Sequence, residues 1–266
     1  MRGITGFVQR WALFVLIVLI WEVVTRLSAS PFFPPPSQIG PRMVDLWLSG
    51  PASRLFLTDT VYDHLLPSVG RTLLGWAIAA VIGIGLGLLL GRSTVAMRYL
   101  RVLLDFGRAI PPPLMVPFFL VTLGLGAPMQ LGAIVFGAVW PVLLNSIDGA
   151  RSVDATKVDT ARAFRLSGPQ WMGGVVLPAA LPKIFAGLRL SISIALILMV
   201  VSELVASTHG LGNQLVAAGR DYDMAGMWAY IVLLGILGYA FNIALLAVEH
   251  RVLRWQPGRA HAAASR

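Results

Sequence analysis

Cysteine is absent from the 266 residues, and charged residues are scarce. The lack of cysteine excludes a disulfide-stapled fold, thiolate metal sites and cysteine nucleophiles. Charged residues make up 12% of the chain, against about 25% in typical soluble domains. Apolar residues make up 57%, which is too much for a soluble body of this size to hide and too much for a disordered chain. The composition predicts a polytopic membrane protein.

Lysine is nearly absent as well, and the sequence has no phosphate-binding loop. Lys157 and Lys183 are the two lysines, and neither follows the Gly-x-x-x-x-Gly pattern of such a loop. The four histidines lie far apart in the sequence, so we expect no metal site. Since the phosphate-binding loop is missing as well, we expect no nucleotide or other cofactor on this chain. No basic stripe has aromatic residues interleaved, and the net charge of +9 therefore does not indicate a nucleic-acid partner.

Six apolar segments are long enough, or nearly so, to cross a hydrocarbon core about 30 Å thick. They cover residues 11–27, 72–90, 100–123, 129–147, 184–206 and 228–248. We therefore predict an all-α protein in which residues 1–266 form one transmembrane domain. The first segment has an alternative interpretation as a cleavable signal peptide, because Ser28-Ala29-Ser30 follows it. Glu22 and Arg26 argue against that alternative, since a cleavage region is usually neutral.

The basic residues between the spans predict that both termini lie in the cytoplasm. Fourteen of the 21 Lys and Arg residues fall on the side of the N-terminus, including Arg2, Arg10, Arg259 and Arg266. Arg108 and Arg189 lie within spans. The remaining five fall on the opposite, external side: Arg26, Arg42, Arg54, Arg71 and Arg220. This orientation makes 28–66 an external segment and 148–183 a cytoplasmic loop.

The external segment is predicted to contain an extended stretch and a short amphipathic helix. Phe32–Pro36 is rich in proline and favours a polyproline-like chain. Ser37 is predicted to cap a helix that runs to about Leu48. The apolar residues of that helix share one face, which we expect to lie on the outer membrane surface: Ile39, Met43, Leu46 and Trp47.

The cytoplasmic loop is predicted to form a helix-turn-helix elbow. Good helix formers cover Val158–Leu166, Gly168-Pro169 breaks that helix, and Ser167 is placed to cap a second one. We expect Leu177-Pro178 and Leu181-Pro182 to end the second helix. The elbow would expose four apolar side chains, namely Phe164, Leu166, Trp171 and Met172. Such exposure indicates a partner surface, and the alternative is an elbow that packs back on its own bundle.

This loop resembles the "EAA" loop of ABC importer permeases. Asp159-Thr160-Ala161 stands where Glu-Ala-Ala is usual, and Leu177-Pro178 closes the pattern at the expected distance. The sequence departs from the family pattern at two positions. Thr160 replaces the first alanine, and Arg165 stands where the glycine of the motif normally falls, with Gly168 three residues later.

Five further blocks, in order along nearly the whole chain, are similar to the nitrate, sulfonate and taurine branch of these permeases. They are Phe33-Pro34-Pro35-Pro36-Ser37, Ser68 to Trp76, Arg108 to Pro112 with Pro117, Leu123-Gly124-Leu125-Gly126, and Ser202-Glu203-Leu204 with Gly210-Leu211-Gly212.

The resemblance implies a type I ABC importer permease in a bacterial cytoplasmic (inner) membrane, without catalysis of its own. It implies a homodimer with the substrate path on the two-fold axis. ATP and Mg would be bound by two cytoplasmic ATPase subunits, and an external binding protein would deliver substrate. The branch suggests a small anion such as an alkanesulfonate, taurine or nitrate, with bicarbonate, an aromatic acid or a vitamin precursor as alternatives. The resemblance places coupling to the ATPase on Asp159, Ala161, Phe164, Arg165, Gly168, Trp171 and Pro178.

Charged or broken segments within spans are candidates for the substrate path, because charge in hydrocarbon is costly. Arg108 precedes Pro111 and Pro112, where a broken helix is tolerated only inside protein or beside a cavity. The alternative role for Arg108 is a structural pair with Asp105. Glu203, near the outer end of the fifth span, has the same two interpretations. Gly83, Gly87 and Gly91 recur every four residues and predict a close helix–helix contact.

Two other classes of function fit the sequence less well. An intramembrane enzyme needs clustered acids or a Ser/His pair within spans, whereas these spans carry dispersed single charges. A secondary transporter is expected to have internal repeats with paired broken helices, and only one span is broken.

Overall fold

The computed structural model describes residues 2–207 and 209–255, without the side chains of residues 2–10 and 206. The side chains of Arg2, Arg10, Arg259, Arg266 and His261 therefore lie outside the described residues. Helices account for the regular structure of the described chain, which confirms the all-α prediction. In order these are α1 (Arg2–Ser28), α2 (Pro36–Trp47), α3 (Leu66–Arg92), α4 (Thr94–Ala109), α5 (Met115–Leu123), α6 (Ala127–Arg151), α7 (Ala155–Ala163), α8 (Gly168–Trp171), α9 (Leu177–Ala206), α10 (Leu211–Arg220) and α11 (Met224–Val252).

Six candidate membrane spans are present in the described residues, as predicted. Five helices are long and apolar enough to cross a bilayer, and α4 with α5 forms a sixth candidate that is bent by 77° at Ile110 and Pro111. The bounds differ from the prediction by six residues or more at four helix starts. Helix α1 begins at Arg2 rather than 11. Helix α3 begins at Leu66 rather than 72, α4 at Thr94 rather than 100, and α9 at Leu177 rather than 184. The segments predicted to be external and cytoplasmic are correspondingly shorter than 28–66 and 148–183.

The early starts of α3 and α9 follow from two π-helical turns, Val61–Leu65 and Met172–Val176. Each turn is followed directly by a Leu-Pro pair. A proline has no N–H, and its ring crowds the carbonyl four residues earlier, so a widened turn lets the helix continue past it.

The prediction that Leu177-Pro178 and Leu181-Pro182 end the second helix of the elbow is therefore wrong. Leu177 donates its N–H to the carbonyl of Met172, and Pro178 occupies the first turn of α9. Pro182 lies inside the same helix. Helix α9 thus continues the chain from the elbow directly into the fifth span.

One compact unit of the chain comprises Met1–Ser68 and Thr208–Ile236. In this unit α2 has Pro35 at its N-cap, so the prediction of Ser37 as the cap is wrong. The reason is that Ser37 instead binds Glu22, donating from its backbone N at 3.0 Å and from Oγ at 2.7 Å. The apolar residues share one face as predicted, but the expectation that this face lies on the outer membrane surface is wrong. Ile39 and Trp47 are buried, and the Trp47 ring packs edge-on against Tyr230, so the face packs on the protein itself.

The start of α10 in the same unit is capped by side chains from the π-helical turn Val61–Leu65 and from the first turn of α3. Gly210 donates its N–H to His64 Nδ1 at 3.0 Å, and Leu211 donates its N–H to Ser68 Oγ at 3.1 Å. These bonds satisfy two of the amides that a helix start leaves without intrahelical partners. The Gly210-Leu211-Gly212 block singled out in the sequence is therefore a capped helix start.

The second compact unit comprises Val69–Ser207 and Leu237–Arg266. Its core lies where α6 packs on α9, with α3 and the end of α11 adding side chains. The buried members of this core are Ala80, Val142, Ala180, Ile184, Phe185, Leu188, Ile192, Leu245 and Leu253. The buried α6 positions recur at three- and four-residue spacing, as expected for one helix face.

The predicted glycine ridge is confirmed as the contact between α3 and α6. An added Cβ would lie 2.8 Å from Val142 Cβ at Gly83 and 2.7 Å from Ala150 Cβ at Gly91. At Gly87 it would lie 2.9 Å from the Leu143 carbonyl oxygen and closer still to the Ser146 side chain. Both helices repeat their contacts every four residues, so the glycines allow the backbones of α3 and α6 to approach each other closely.

Gly87→Leu is expected to push α3 away from α6 and to lower the free energy of unfolding by about 3 kcal/mol or more, as strong overpacking does. Thermal unfolding and the monodisperse fraction in detergent measure this effect. Gly85→Leu is the matched control on the same helix, because nothing lies within 4 Å of a Cβ added there. Equal stability of the Gly87 and Gly85 variants would contradict the ridge.

Candidate functional site

The predicted elbow consists of α7, the turn 164–167 and α8, all in the second unit. Its first helix covers Ala155–Ala163 rather than Val158–Leu166 because Asp154 caps it, accepting the N–H of Thr156 at 2.7 Å. The hydrogen bond from that backbone N–H lowers the pKa of Asp154 below its ordinary value. The second helix has Ser167 at its N-cap, as predicted, and the Ser167 N–H donates to Gln170 Oε1 at 2.9 Å.

Arg165 adopts the backbone conformation that glycine usually provides. Its φ is +52°, in the left-handed region. The Leu166 N–H donates to the Ala161 carbonyl at 3.0 Å, and the Arg165 N–H donates to Arg162, which together form the Schellman pattern of a helix C-terminus. The departure from the family motif therefore places a residue with a Cβ at a left-handed position, which favours glycine.

Arg165→Gly is expected to stabilise the turn by about 1 kcal/mol, because the left-handed conformation costs about that much for a residue with a Cβ. The amide of Leu166 should then exchange with solvent about fivefold more slowly, as followed by hydrogen–deuterium exchange. Arg162→Gly is the control inside α7, where glycine should have the opposite effect and speed exchange. Unchanged exchange at Leu166 after Arg165→Gly would show that the turn carries no strain.

Exposure divides the predicted coupling residues into two groups. Phe164 is 76% exposed at the tip of the elbow. The carboxylate of Asp159 pairs with Arg162 at 3.4 Å, with both side chains about three-quarters exposed. Arg165 and Gly168 are exposed as well. Together these residues form an outward surface with an apolar centre and charged neighbours.

The other predicted coupling residues face the body of the second unit. Ala161 is buried, and Pro178 is half-buried in α9. The expectation that Trp171 is exposed is wrong, because the guanidinium of Arg92 lies over its ring at 5.2 Å. The Arg92 side chain also donates to the Ala150 carbonyl at 3.4 Å. Trp171 therefore fixes the elbow to the ends of α3 and α6 and is not an exposed contact residue for a partner.

An apolar cavity of about 400 Å³ lies beside the tip of the elbow. Phe164 and Leu166 form part of its wall, and Val175 and Pro178 contribute from the π turn and α9. Trp255 completes the wall from the segment after α11. An exposed aromatic ring next to an apolar recess can anchor a partner protein by burying both.

The residues proposed for the substrate path lie at the break between α4 and α5. Arg108 Nε donates to Asp105 Oδ1 at 3.0 Å, and both side chains are about half exposed. Pro111 is extended, and Pro112 opens the short 3-10 turn before α5. The structural pair with Asp105 is thus present, and it leaves the Arg108 side chain exposed.

Glu203 is fully buried and bound to a basic side chain. Its Oε1 accepts from Arg71 Nη2 at 2.7 Å, and the Arg71 side chain is 17% exposed. Sequence reasoning placed Arg71 in an external loop and missed this partner. The two residues are 132 positions apart, so only the packing of α3 against α9 brings them together.

A second ion pair, between Arg189 and Glu249, was also missed. The Glu249 side chain is 3% exposed, near the end of α11. The available signal was that Glu249 is an acid at the end of an apolar span, while Arg189 is a base inside another span. Charges in spans are expected to pair with one another.

Comparison with known proteins agrees with this architecture. The family model for "Binding-protein-dependent transport system inner membrane component" matches residues 79–254. The taurine transport system permease protein of Escherichia coli is 30% identical over 91% of this chain and 86% of that protein. A putative aliphatic sulfonates transport permease protein of Bacillus subtilis is 30% identical over 94% and 88%. A bicarbonate transport system permease protein of Synechococcus elongatus is 29% identical over 96% and 88%.

Among solved structures, an inward-facing methionine ABC transporter, MetNI, shares the fold. Its matched chain superposes with a TM-score of 0.63 at 22% identity, over 71% of this chain and 94% of that chain. The family match covers the elbow, the glycine ridge and the broken span, and the relatives cover nearly the whole length. The chain belongs to the binding-protein-dependent transport system inner membrane components, the membrane-spanning permease subunits of ABC importers.

Proposed function

We propose that this chain forms the path by which a small oxyanion enters a bacterial cell across the cytoplasmic membrane, with a sulfonate such as taurine as the first candidate. The identity of about 30% to a taurine permease and to an aliphatic sulfonate permease, each over more than 90% of this chain, carries the proposal. Bicarbonate is the second candidate, because a bicarbonate permease is nearly as similar.

Energy for transport would come from partner ATPase subunits through the elbow. The sequence lacks a phosphate-binding loop, so ATP and Mg would bind to those partners and this chain would carry out no chemistry. Phe164 and the apolar cavity beside it offer the surface on which an ATPase subunit can act. A near-complete switch between inward-facing and outward-facing states requires about 5.5 kcal/mol of differential binding.

The assembly we propose has two copies of this chain, two ATPase subunits and an external binding protein. Two copies would place two elbows on the cytoplasmic side, one for each ATPase subunit. The coupling role would rest on Asp159, Ala161, Phe164, Arg165, Gly168, Trp171 and Pro178. In that set Phe164 makes the contact, while Trp171 and Ala161 hold the elbow in place through the packing described above.

Uptake into proteoliposomes tests the proposal. The chain is reconstituted with its ATPase and binding protein, and ATP-driven accumulation of labelled taurine, ethanesulfonate, nitrate and bicarbonate is compared. We expect accumulation of one of the sulfonates that needs both partners. Accumulation of solute by this chain alone under an ion gradient would overturn the importer assignment. Accumulation of bicarbonate or nitrate without any sulfonate would replace the first substrate candidate.

A further inference from the structure

Helix α4 presents three distinct faces. Met97, Leu104 and Gly107 are half-buried, and an added Cβ at Gly107 would meet the Trp140 ring of α6. A second face carries exposed apolar side chains, which are Val95, Tyr99, Val102, Leu103 and Phe106. The third face is charged, with residues spaced three and four apart along the helix: Arg98, Arg101, Asp105 and Arg108.

The charged face lines a cavity of about 750 Å³ between α4 and the C-terminal part of α6. Helix α6 contributes Asp148 and Arg151 to the same wall. We call this cavity the α4 groove. Its charged lining consists of four arginines and two aspartates, so the groove is basic overall: Arg98, Arg101, Arg108, Arg151, Asp105 and Asp148.

The α4 groove reaches deep into the predicted span. Thr94 and Arg151 lie at one end of it, and Gly107 contacts Trp140 near the other. Trp140 is eleven residues before the end of α6, which is about 16 Å at 1.5 Å per residue. With the end of α6 taken as the edge of the hydrocarbon core, Arg108 lies about halfway across its roughly 30 Å.

Charges at that depth are stable only beside water or other polar groups. Asp105 lies 3.0 Å from Arg108 and 3.9 Å from Arg101, which compensates part of the positive charge. Within the described residues no salt bridge neutralises Arg98, near the start of α4, or Arg151, at the end of α6. A water-filled groove with excess positive charge concentrates anions.

We propose that the α4 groove is the cytoplasmic half of the anion path, in which Arg108, Arg101 and then Arg98 with Arg151 attract the departing oxyanion in turn. The identity of that anion rests on the proposed function, whereas the attraction of anions to the groove does not. Partial neutralisation by Asp105 prevents the deepest arginines from binding the anion too tightly to release it.

Cysteine labelling tests the groove directly, because the native chain has no cysteine. In the full complex, Leu104→Cys places a thiol in the groove, and Ala155→Cys places one on the exposed surface of α7. Each is reacted with sulfonatoethyl methanethiosulfonate, which is anionic, and with its trimethylammonium analogue, which is cationic. We expect the anionic-to-cationic rate ratio to be about tenfold higher at Leu104→Cys.

Two further substitutions test whether the charge of the groove sets the rate ratio, because they should change the ratio in opposite directions, whereas damage to the structure would not. Arg98→Gln in the Leu104→Cys background should lower the ratio several-fold, and Asp105→Asn should raise it. Equal ratios at the two cysteines, or a groove cysteine that neither reagent reaches, would overturn the proposal. Should Leu104→Cys fail to fold, Thr94→Cys at the exposed end of the groove takes its place.

Uptake distinguishes failure of the groove from failure of the substrate assignment. Arg98→Gln should slow ATP-driven ethanesulfonate uptake several-fold, while Arg254→Gln, an equal loss of charge outside the groove, should not. A high labelling ratio in a protein that carries no sulfonate would refute the substrate and keep the groove. Normal sulfonate uptake with equal labelling ratios would refute the groove and keep the substrate.

Discussion

Phe164→Asp is expected to reduce both ATP-driven uptake and the stimulation of the partner ATPase to background. Phe164 is 76% exposed at the tip of the elbow, beside an apolar cavity. Aromatic anchors of this kind contribute about 2–4 kcal/mol to an interface, and a charge in the same place also has to be desolvated. We therefore expect the affinity between permease and ATPase to fall at least about 30-fold. Co-purification and ATP hydrolysis in proteoliposomes measure both effects.

Two variants control for damage to the permease itself. Phe164→Leu keeps an apolar side chain and should retain most of the stimulation. Arg165→Glu reverses a neighbouring charge and should weaken coupling less than Phe164→Asp does, because Arg165 lies beside the apolar centre rather than in it. Full stimulation of the ATPase by both Phe164→Asp and Arg165→Glu would remove the elbow from the coupling mechanism.

The spans and the glycine ridge could be predicted because each has a strong local signal. An apolar run of about 20 residues with few charges predicts a membrane helix. Glycines at 83, 87 and 91 repeat at the helical spacing, and the structure seats each of them on the backbone or a small side chain of α6. The elbow was similarly marked by Gly168-Pro169, which opens the second of two short helices after the turn 164–167.

The helix starts of α3 and α9 were not predictable by the same reasoning. A Leu-Pro pair after polar or glycine-containing residues usually indicates a helix end. In both places a π-helical turn removes the clash between proline and the preceding carbonyl, so the helix continues. Such a turn is selected by packing on both sides of it, and that packing cannot be read from local sequence.

The pairing of charges also depends on packing between distant segments. Glu203 and Arg71 are far apart in the chain, as are Glu249 and Arg189. Periodicity assigned each residue to a helix but could not determine which charged neighbour it meets. Trp171 was misplaced for the same reason, since its partner Arg92 ends a different span.

Glu203→Ala is expected to lower the free energy of unfolding by about 3–5 kcal/mol, the usual cost of leaving one member of a buried ion pair without its partner. The Glu203 side chain is fully buried, and the Arg71 side chain is mostly so. The double variant Arg71→Met with Glu203→Met removes both charges and should recover most of the loss. Thermal unfolding in detergent measures all three proteins, and Asp59→Ala, in an exposed pair with Arg54, should change little.

Uptake by the double variant separates the two roles considered for Glu203. A purely structural pair predicts that the double variant, once folded, transports at close to the native rate. A role in the outer path predicts a stable protein with uptake reduced at least tenfold, because the methionines restore packing but not charge. A Glu203→Ala protein with the same free energy of unfolding as the native chain would contradict the prediction, because the ion pair with Arg71 would then have no structural role.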